Sequence, residues 1–272
     1  MTETGKLILN NGVEMPLVGL GTWDLRGNEC VDTVIAAISL GYRLIDTAHM
    51  YGNEREIGKA LAQSSVPRSE LFITTKIDQR SNSYKKANKG VDASLERLGL
   101  DYLDLVLIHE PYGEAPDMYR ALEESMQAGK IRAIGISNFD ESRYKDFVRR
   151  VSVVPAVNQV EVHAYYQKWN FQKILEQAGT KMQAWAPLAQ GIDHLADHPV
   201  LREIGNSHNK SAAQVALRFL VQRGISVIPK SKHRSRLAEN IDLFDFALSA
   251  EEMELIKTLD RQETLFSWTE SY

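Results

Sequence analysis

Residues able to move protons or hold charge recur in this chain at one kind of place, behind or within short apolar runs. Asp46 follows Leu44-Ile45, Lys76 closes Phe72-Ile73-Thr74-Thr75, and His109 follows the run Leu103–Ile108. Ser137-Asn138 follows the run 131–136, Gln159 lies inside 156–162, Trp185 falls near the end of 181–186, and Lys230-Ser231 continues from 225–228. A carboxylate, an ammonium, an imidazole, a hydroxyl and two amides are a set suited to proton transfer and charge stabilisation. Each also has a plainer explanation. Asp46 before Thr47 would cap a turn, Lys76 would snorkel to solvent, and a lone histidine such as His109 is more often structural than catalytic. Ser137-Asn138 alone is a turn, while Tyr51 and Trp185 alone are packing. A different combination, Asp46 and His109 with Glu161 and His163, would suit a metal-dependent hydrolase. Its members lack a recognisable metal-ligand spacing, so no metal is expected. Gly19-Leu20-Gly21 opens like a dinucleotide fingerprint, but Asp24 stands where its third glycine belongs.

The elements that must carry these residues alternate. Apolar runs at 17–20, 43–45, 71–75, 103–108, 131–136, 156–162, 181–186 and 225–228 read as strands. Helical periodicity fills 30–40, 54–63, 84–98, 118–128, 141–150, 171–177 and 212–223, and several of these segments end in glycine, as at Gly99. Runs such as Leu103–Ile108 are almost continuously apolar, the pattern of a parallel strand covered on both faces. Eight strand–helix units in 272 residues average 34 each, the size of a βαβ repeat. No Pro/Gly/Ser-rich linker divides the chain, so two domains would leave the alternation unexplained. The expected fold is α/β, a single (β/α)8 TIM barrel over residues 1–272, with a doubly wound sheet as the alternative. Asn10-Asn11-Gly12 predicts an N-terminal β-hairpin. Ser249 with Glu252 opens a C-terminal helix over 250–259 in capping-box form. In such a barrel active sites collect at the C-terminal ends of the strands. Unrelated structural roles would not bring polar groups to one rim so often.

Composition narrows the function classes. Thirty-two Lys+Arg against 36 Asp+Glu give a formal charge of −4, which argues against a basic nucleic-acid surface. No apolar run approaches the roughly 20 residues that span a bilayer. The single cysteine, Cys30, has no intramolecular partner for a disulfide. The polar start, Met1 to Lys6, carries no apolar signal core. The expectation is a cytoplasmic protein with no nucleic-acid or membrane partner.

Several segments resemble the aldo-keto reductases. The first is Leu44-Ile45-Asp46-Thr47-Ala48-His49-Met50-Tyr51-Gly52-Asn53-Glu54. It is joined by Thr74-Thr75-Lys76, Leu107-Ile108-His109, Gly135-Ile136-Ser137-Asn138-Phe139 and Asn158-Gln159-Val160-Glu161. Ile228-Pro229-Lys230-Ser231 with Arg236, Glu239 and Asn240 resembles the family's cofactor segment. The likeness runs from about Gly12 to Leu259, in the manner of short prokaryotic members such as diketogluconate reductases. It implies a catalytic tetrad of Asp46, Tyr51, Lys76 and His109, with Tyr51 as the acid that protonates a carbonyl oxygen. Lys76 would stabilise the phenolate and pull its pKa down, Asp46 would hold Lys76, and His109 would hydrogen-bond the carbonyl. No side chain supplies hydride, so the resemblance also implies a nicotinamide cofactor. Ser137, Asn138 and Gln159 would hold its carboxamide and Trp185 would stack on its ring. Gly21, Thr22 and Leu188 would line it, Lys230, Ser231 and Arg236 would take the 2′-phosphate of NADPH, and Glu239 and Asn240 would reach the adenine. A solvated basic loop is the other reading of 230–236.

Two departures bear on substrate. Many members follow the histidine with Trp-Pro, whereas here His109 is followed by Glu110-Pro111. Glu110 either faces the pocket and disfavours anionic substrates or points to solvent. Trp185-Ala186-Pro187 replaces the usual Tyr-Ser-Pro, exchanging a phenol for an indole and removing a hydroxyl. The tail after Leu259 is too short for the long substrate-gripping loop of some relatives. Trp23, Met50, Tyr112 and Trp268 are the expected pocket lining beside Tyr51 and His109. An apolar pocket of this kind discriminates weakly, so the expected partner is a range of small aldehydes and ketones. The protein is expected to act as a monomer, with a weak dimer as the alternative. A cofactor-binding regulatory subunit is the competing function.

Overall fold

The structure is a computed structural model and describes residues 5–266. It opens with the predicted hairpin, β1 (Lys6–Ile8) paired antiparallel to β2 (Glu14–Pro16) with Leu7 opposite Met15. Gly12, at φ 84°, supplies the left-handed residue of the turn. Asn11 Nδ2 donates to the Arg132 carbonyl at 2.8 Å and Asn10 Nδ2 to the Val154 carbonyl at 3.1 Å. Both acceptors lie where barrel strands begin, so the hairpin caps the end opposite the strand C-termini.

Eight parallel strands follow in sequence order: β3 (Gly19–Gly21), β4 (Leu44–Asp46), β5 (Phe72–Ile77), β6 (Leu103–Ile108), β7 (Ile131–Ser137), β8 (Val157–Glu161), β9 (Lys181–Trp185) and β10 (Ser226–Val227). A parallel bridge between Val18 and Val227 closes the sheet into a barrel. The surrounding helices are α1 (Gly27–Ser39), α2 (Glu54–Ala62), α3 (Tyr84–Leu98), α4 (Ala115–Gln127), α5 (Glu141–Val148), α6 (Trp169–Gln177), α7 (Pro199–His208), α8 (Ala212–Gln222), α9 (Arg234–Ile241) and α10 (Ala250–Lys257). The fold is therefore an α/β TIM barrel with an N-terminal hairpin and a C-terminal helix. Every residue of β5 and β6 is buried, as their apolar runs require. Among their polar members is Asp104, whose carboxylate takes Arg68 at 2.6 Å, Arg132 at 2.8 Å and the Ile73 amide at 2.9 Å. A buried charge is tolerable when so completely paired.

Most element boundaries agree with the sequence pattern, and α3 coincides with it. Gly99, at φ 67°, ends α3 in the left-handed conformation. The capping box at Ser249 and Glu252 forms, with the Ser249 amide donating to Glu252 Oε2 at 2.7 Å. Two helices were not legible. Helix α7 starts at Pro199, whose fixed φ suits a first helical position. Helix α9 occupies what reads as a basic loop, and only Leu237 and Asn240 are buried in it, too few to leave a periodic signal. No helix among the described residues is long and apolar enough to cross a membrane.

Candidate active site

The C-terminal ends of the strands gather the anticipated tetrad. Asp46 ends β4, Lys76 is the penultimate residue of β5, and His109 follows β6. Tyr51 lies in a single 3-10 turn, His49–Tyr51, closed by Gly52 at φ 66°. The Lys76 ammonium donates to Asp46 Oδ1, to the Thr47 carbonyl at 3.0 Å and to the Tyr51 hydroxyl at 3.3 Å. Three acceptors match the three N–H bonds of an ammonium. Tyr51 accepts in this arrangement, so its own proton remains available to another acceptor. The His109 ring meets Tyr51 edge-on, with centroids 5.8 Å apart.

Burial and charge oppose each other at these groups. Burial works against a charged Lys76, but Asp46 and Tyr51 outweigh it and raise its pKa, so it stays an ammonium. Burial lifts Asp46 above the usual carboxylate range, although Lys76 and Gln159 both pull it back. The sequence reading needs one adjustment at Tyr51. Lys76 does pull the phenol down, but burial exceeds that effect and the charges of Asp46 and Glu110 add to it, so the net shift is upward. His109 is held well below its ordinary value, first by burial and then by the Lys76 charge, with His49 adding to the fall and Asp78 opposing it. It is a neutral imidazole. Its Nδ1 is sealed without a partner among the described residues, which leaves Nε2 to serve a ligand.

The neighbouring strand ends hold the residues expected around a nicotinamide. Gln159 Nε2 donates to Asp46 Oδ2 at 2.8 Å and to Gln183 Oε1 at 2.7 Å, so both amide hydrogens are engaged. Gln183 in turn donates to Ser226 Oγ at 3.1 Å. Asn138 Nδ2 donates to Glu110 Oε1 at 2.9 Å and to the His109 carbonyl at 3.3 Å, while its Oδ1 accepts from Trp185 Nε1 at 2.7 Å. Glu110 therefore faces Asn138 and is buried, which settles the two orientations open from sequence. Burial pushes its carboxyl up to about 8, against the pull of Asn138 and Lys76.

Gly21 and Thr22 have structural duties of their own. A Cβ on Gly21 would lie 2.6 Å from the Ile228 carbonyl oxygen, so the glycine is needed to close the barrel seam. Thr22 gives both its hydroxyl, at 2.8 Å, and its amide, at 3.1 Å, to the Asp46 carbonyl. Of the basic segment, Lys232 pairs with Glu29 at 3.0 Å and Arg234 donates to Ser39 Oγ at 3.1 Å. Lys230 and Arg236 are exposed and make no ion pair among the described residues. Ser231 Oγ accepts from the His233 amide at 3.1 Å, at the start of α9. Glu239 accepts from the Ser211 hydroxyl, and Asn240 is buried nearby in α9. Leu188 is half-buried just before an irregular stretch, Ala189–Asp197.

Trp23 and Met50 are 53% and 55% exposed, unusual for such apolar side chains, and Tyr112 is half-buried. Trp268 lies outside the described residues. Residues missed by the sequence reading include Phe266, whose ring lies 5.1 Å from Trp185. Glu161 anchors the segment carrying it, accepting the Leu265 amide at 3.0 Å and the Thr264 hydroxyl. The same carboxylate meets His163 Nε2 at 2.9 Å. Glu161 and His163 are thus engaged locally, and no group of metal-capable side chains gathers among the described residues. Asn53 was also missed as an organiser. It accepts from Thr47 Oγ1 at 2.7 Å and donates to the Thr22 carbonyl at 2.8 Å, joining the loop after β3 to the turn that carries Tyr51.

Comparison with known proteins points the same way. The model of the aldo/keto reductase family matches residues 17–261. A glyoxal reductase of Bacillus subtilis (strain 168) is 45% identical over 257 residues, covering 94% of this chain and 92% of its own length. A 2,5-diketo-D-gluconic acid reductase B of Corynebacterium sp. (strain SHS752001) is 41% identical, covering 96% of this chain and 95% of its own. Among solved structures, an aldo-keto reductase from a Medee basin deep-sea metagenome superposes with a TM-score of 0.94 at 39% identity, over 96% of this chain and 97% of that one. Fold and relatives agree: the chain belongs to the aldo/keto reductase family, oxidoreductases that act on carbonyl compounds with a nicotinamide cofactor.

Proposed function

We propose that the protein reduces aldehydes and ketones to alcohols with NADPH, and that Tyr51 donates the proton. The observation that carries this reading is the Lys76 ammonium, shared among Asp46, Thr47 and Tyr51, which leaves the phenol proton uncommitted. When bound, the cofactor supplies the hydride that adds to the carbonyl carbon. The carbonyl's π pair then passes to oxygen, which takes the Tyr51 proton. The phenolate left behind is stabilised by the ammonium 3.3 Å away. Neutral His109 donates a hydrogen bond to the same oxygen without repelling Lys76. The raised pKa of Tyr51 keeps the acid protonated at neutral pH. In the reverse direction the phenolate serves as base.

The hydrogen bonds already made fit a nicotinamide carboxamide. Among the described residues Asn138 Oδ1 keeps one lone pair and Gln159 Oε1 is unengaged, so both would accept from the carboxamide NH2. The Ser137 hydroxyl would donate to its oxygen, with the Trp185 indole against the ring. Lys230 and Arg236, which make no ion pair among the described residues while Lys232 and Arg234 are engaged, would hold the 2′-phosphate with Ser231 near the start of α9. Glu239 and Asn240 would lie toward the adenine. Trp23, Met50 and Tyr112 would shape a permissive apolar mouth, and Glu110, its carboxyl pushed up to about 8 by burial and turned to Asn138, would bear weakly on anionic substrates. The names of the relatives, a glyoxal reductase and a diketogluconic acid reductase, favour small oxidised aldehydes and ketones. The reading extends to residues 1–272 as one domain and to a cytoplasmic monomer.

The test is NADPH consumption with a reactive aldehyde by wild type and Tyr51→Phe. General acid catalysis contributes roughly 10²–10⁴-fold, so the variant should lose at least about a hundredfold in kcat while binding NADPH. Comparable turnover by the two would remove Tyr51 from its role. Tight NADPH binding by wild type without turnover across an aldehyde panel would make the protein a cofactor sensor instead.

A further inference from the structure

The catalytic reading leaves the buried carboxyl beside His109 unused. Glu110 follows His109 directly and is 3% exposed. Its Oε1 accepts from Asn138 Nδ2 at 2.9 Å, and its Oε2 is sealed without a partner among the described residues. A buried carboxyl with one vacant oxygen is costly, and the contact it does make lies at a critical joint. Asn138 sits at φ 63°, where β7 breaks into a left-handed turn, and its amide N–H donates to the Gln159 carbonyl at 2.9 Å. Its side chain then has two possible orientations. In the observed one, Nδ2 meets Glu110 Oε1 and the His109 carbonyl, while Oδ1 receives the Trp185 indole N–H. Reversed, Oδ1 would oppose the His109 carbonyl and Nδ2 would oppose the indole N–H, two clashes, and an ionised Glu110 would add a third at Oε1.

We propose that Glu110 is a positioning residue that fixes the amide orientation of Asn138 and, through it, the indole of Trp185. The proposal rests on the reading of Asn138 and Trp185 as the nicotinamide-facing pair. Glu110 touches neither substrate nor cofactor in this account. It acts by holding Asn138 Oδ1 toward Trp185 and toward the carboxamide, tying together the ends of β6, β7 and β9. The strength of the tie does not need ionisation, because a neutral carboxyl still offers its carbonyl oxygen to Nδ2.

The experiment follows the Trp185 indole N–H by NMR in 15N-labelled, cofactor-free protein, with Trp185→Phe to assign the signal. Glu110→Leu should move or broaden that resonance, and Glu110→Gln, which keeps an acceptor oxygen, should restore it. Asn138→Ala should displace it with Glu110 intact, a second route should the leucine variant fail to fold. NADPH affinity, measured by fluorescence quenching, should fall about tenfold in Glu110→Leu, the loss of roughly one hydrogen bond, and recover in Glu110→Gln. An unchanged indole resonance and unchanged affinity in Glu110→Leu would overturn the proposal. If wild type itself fails to bind NADPH, the proposed function falls, while the indole signal still decides the role of Glu110.

Discussion

The pair of Asp46 and Lys76 invites a double-mutant cycle, because both side chains are about 1% exposed and each depends on the other. Removing one member of a buried ion pair typically costs about 3–5 kcal/mol, since the survivor is left as an uncompensated charge. Replacing both members is often close to neutral. Lys76→Met leaves Asp46 with only the Gln159 amide to oppose burial. Asp46→Asn keeps an acceptor oxygen beside the Thr47 carbonyl and Tyr51 but leaves the buried ammonium without its counter-charge. Each single variant should therefore lose about 3–5 kcal/mol, a fall in Tm of roughly 10 °C in a domain of this size. The double variant should return to within about 1 kcal/mol of wild type, a coupling of about 5 kcal/mol or more. Urea unfolding at pH 7 measures all four corners. The lone Asp46 of Lys76→Met also predicts a direction with pH. Its folded-state pKa would be raised, so the folded form retains a proton that the unfolded chain releases. The deficit of that variant should consequently grow as pH rises from about 4 and shrink on acidification. Additive costs, with the double variant as unstable as the two singles together, would refute the argument. Carbonyl reduction should be lost in all three variants, so recovered stability without activity would mean that the pair is retained for chemistry.

Glu110 gives a second pH dependence with the same sign. Its folded-state pKa of about 8 lies above the ordinary 4.5, so its contribution to stability is fully present below pH 4.5 and is lost as pH rises toward 8. Glu110→Gln should flatten this slope, with a gain over wild type between pH 5 and pH 8.5 of at most about 5 kcal/mol. Parallel stability curves for the two proteins would count against a buried titration. In the cofactor segment, Lys230→Ala with Arg236→Ala should weaken NADPH binding by about 10–100-fold while leaving NADH binding nearly unchanged. Equal weakening of both cofactors would exclude a 2′-phosphate contact.

The barrel was legible because its strands are buried on both faces and its helices are not, and that contrast survives in a single sequence. Leu103–Ile108 stands out as an almost continuously apolar run, while α3 announces itself by periodicity and by the glycine after it. Helix α9 was hidden for the opposite reason: a helix that buries Leu237 and Asn240 among charged neighbours has no apolar stripe to read. Asp46, Tyr51, Lys76 and His109 were legible as residue types, but their individual pKa balance was not. Lys76 is a strong local influence on Tyr51, yet the depth of burial, which a sequence does not carry, reverses the net direction.

What no sequence pattern could disclose is register. The β7–β8 pairing sets Ser137 beside Gln159, and the β8–β9 and β9–β10 pairings set Gln159 beside Gln183 and Gln183 beside Ser226. These four residues therefore form one polar row across the interior, separated in sequence by tens of residues. The row explains how a barrel core tolerates a charged carboxylate. Asp46 Oδ1 is met by Lys76 and Oδ2 by Gln159, whose second hydrogen is absorbed by Gln183, which passes the demand to Ser226, and Ser226 Oγ donates to the Pro16 carbonyl at 3.2 Å. Each donor finds an acceptor until the chain of hydrogen bonds ends on backbone. Pairing of the same kind, continued past Ile108 opposite Ile136, brings Glu110 level with Asn138. The residues that perform chemistry are recognisable by type, but the residues that aim them are selected by strand register, and only the folded barrel makes them neighbours.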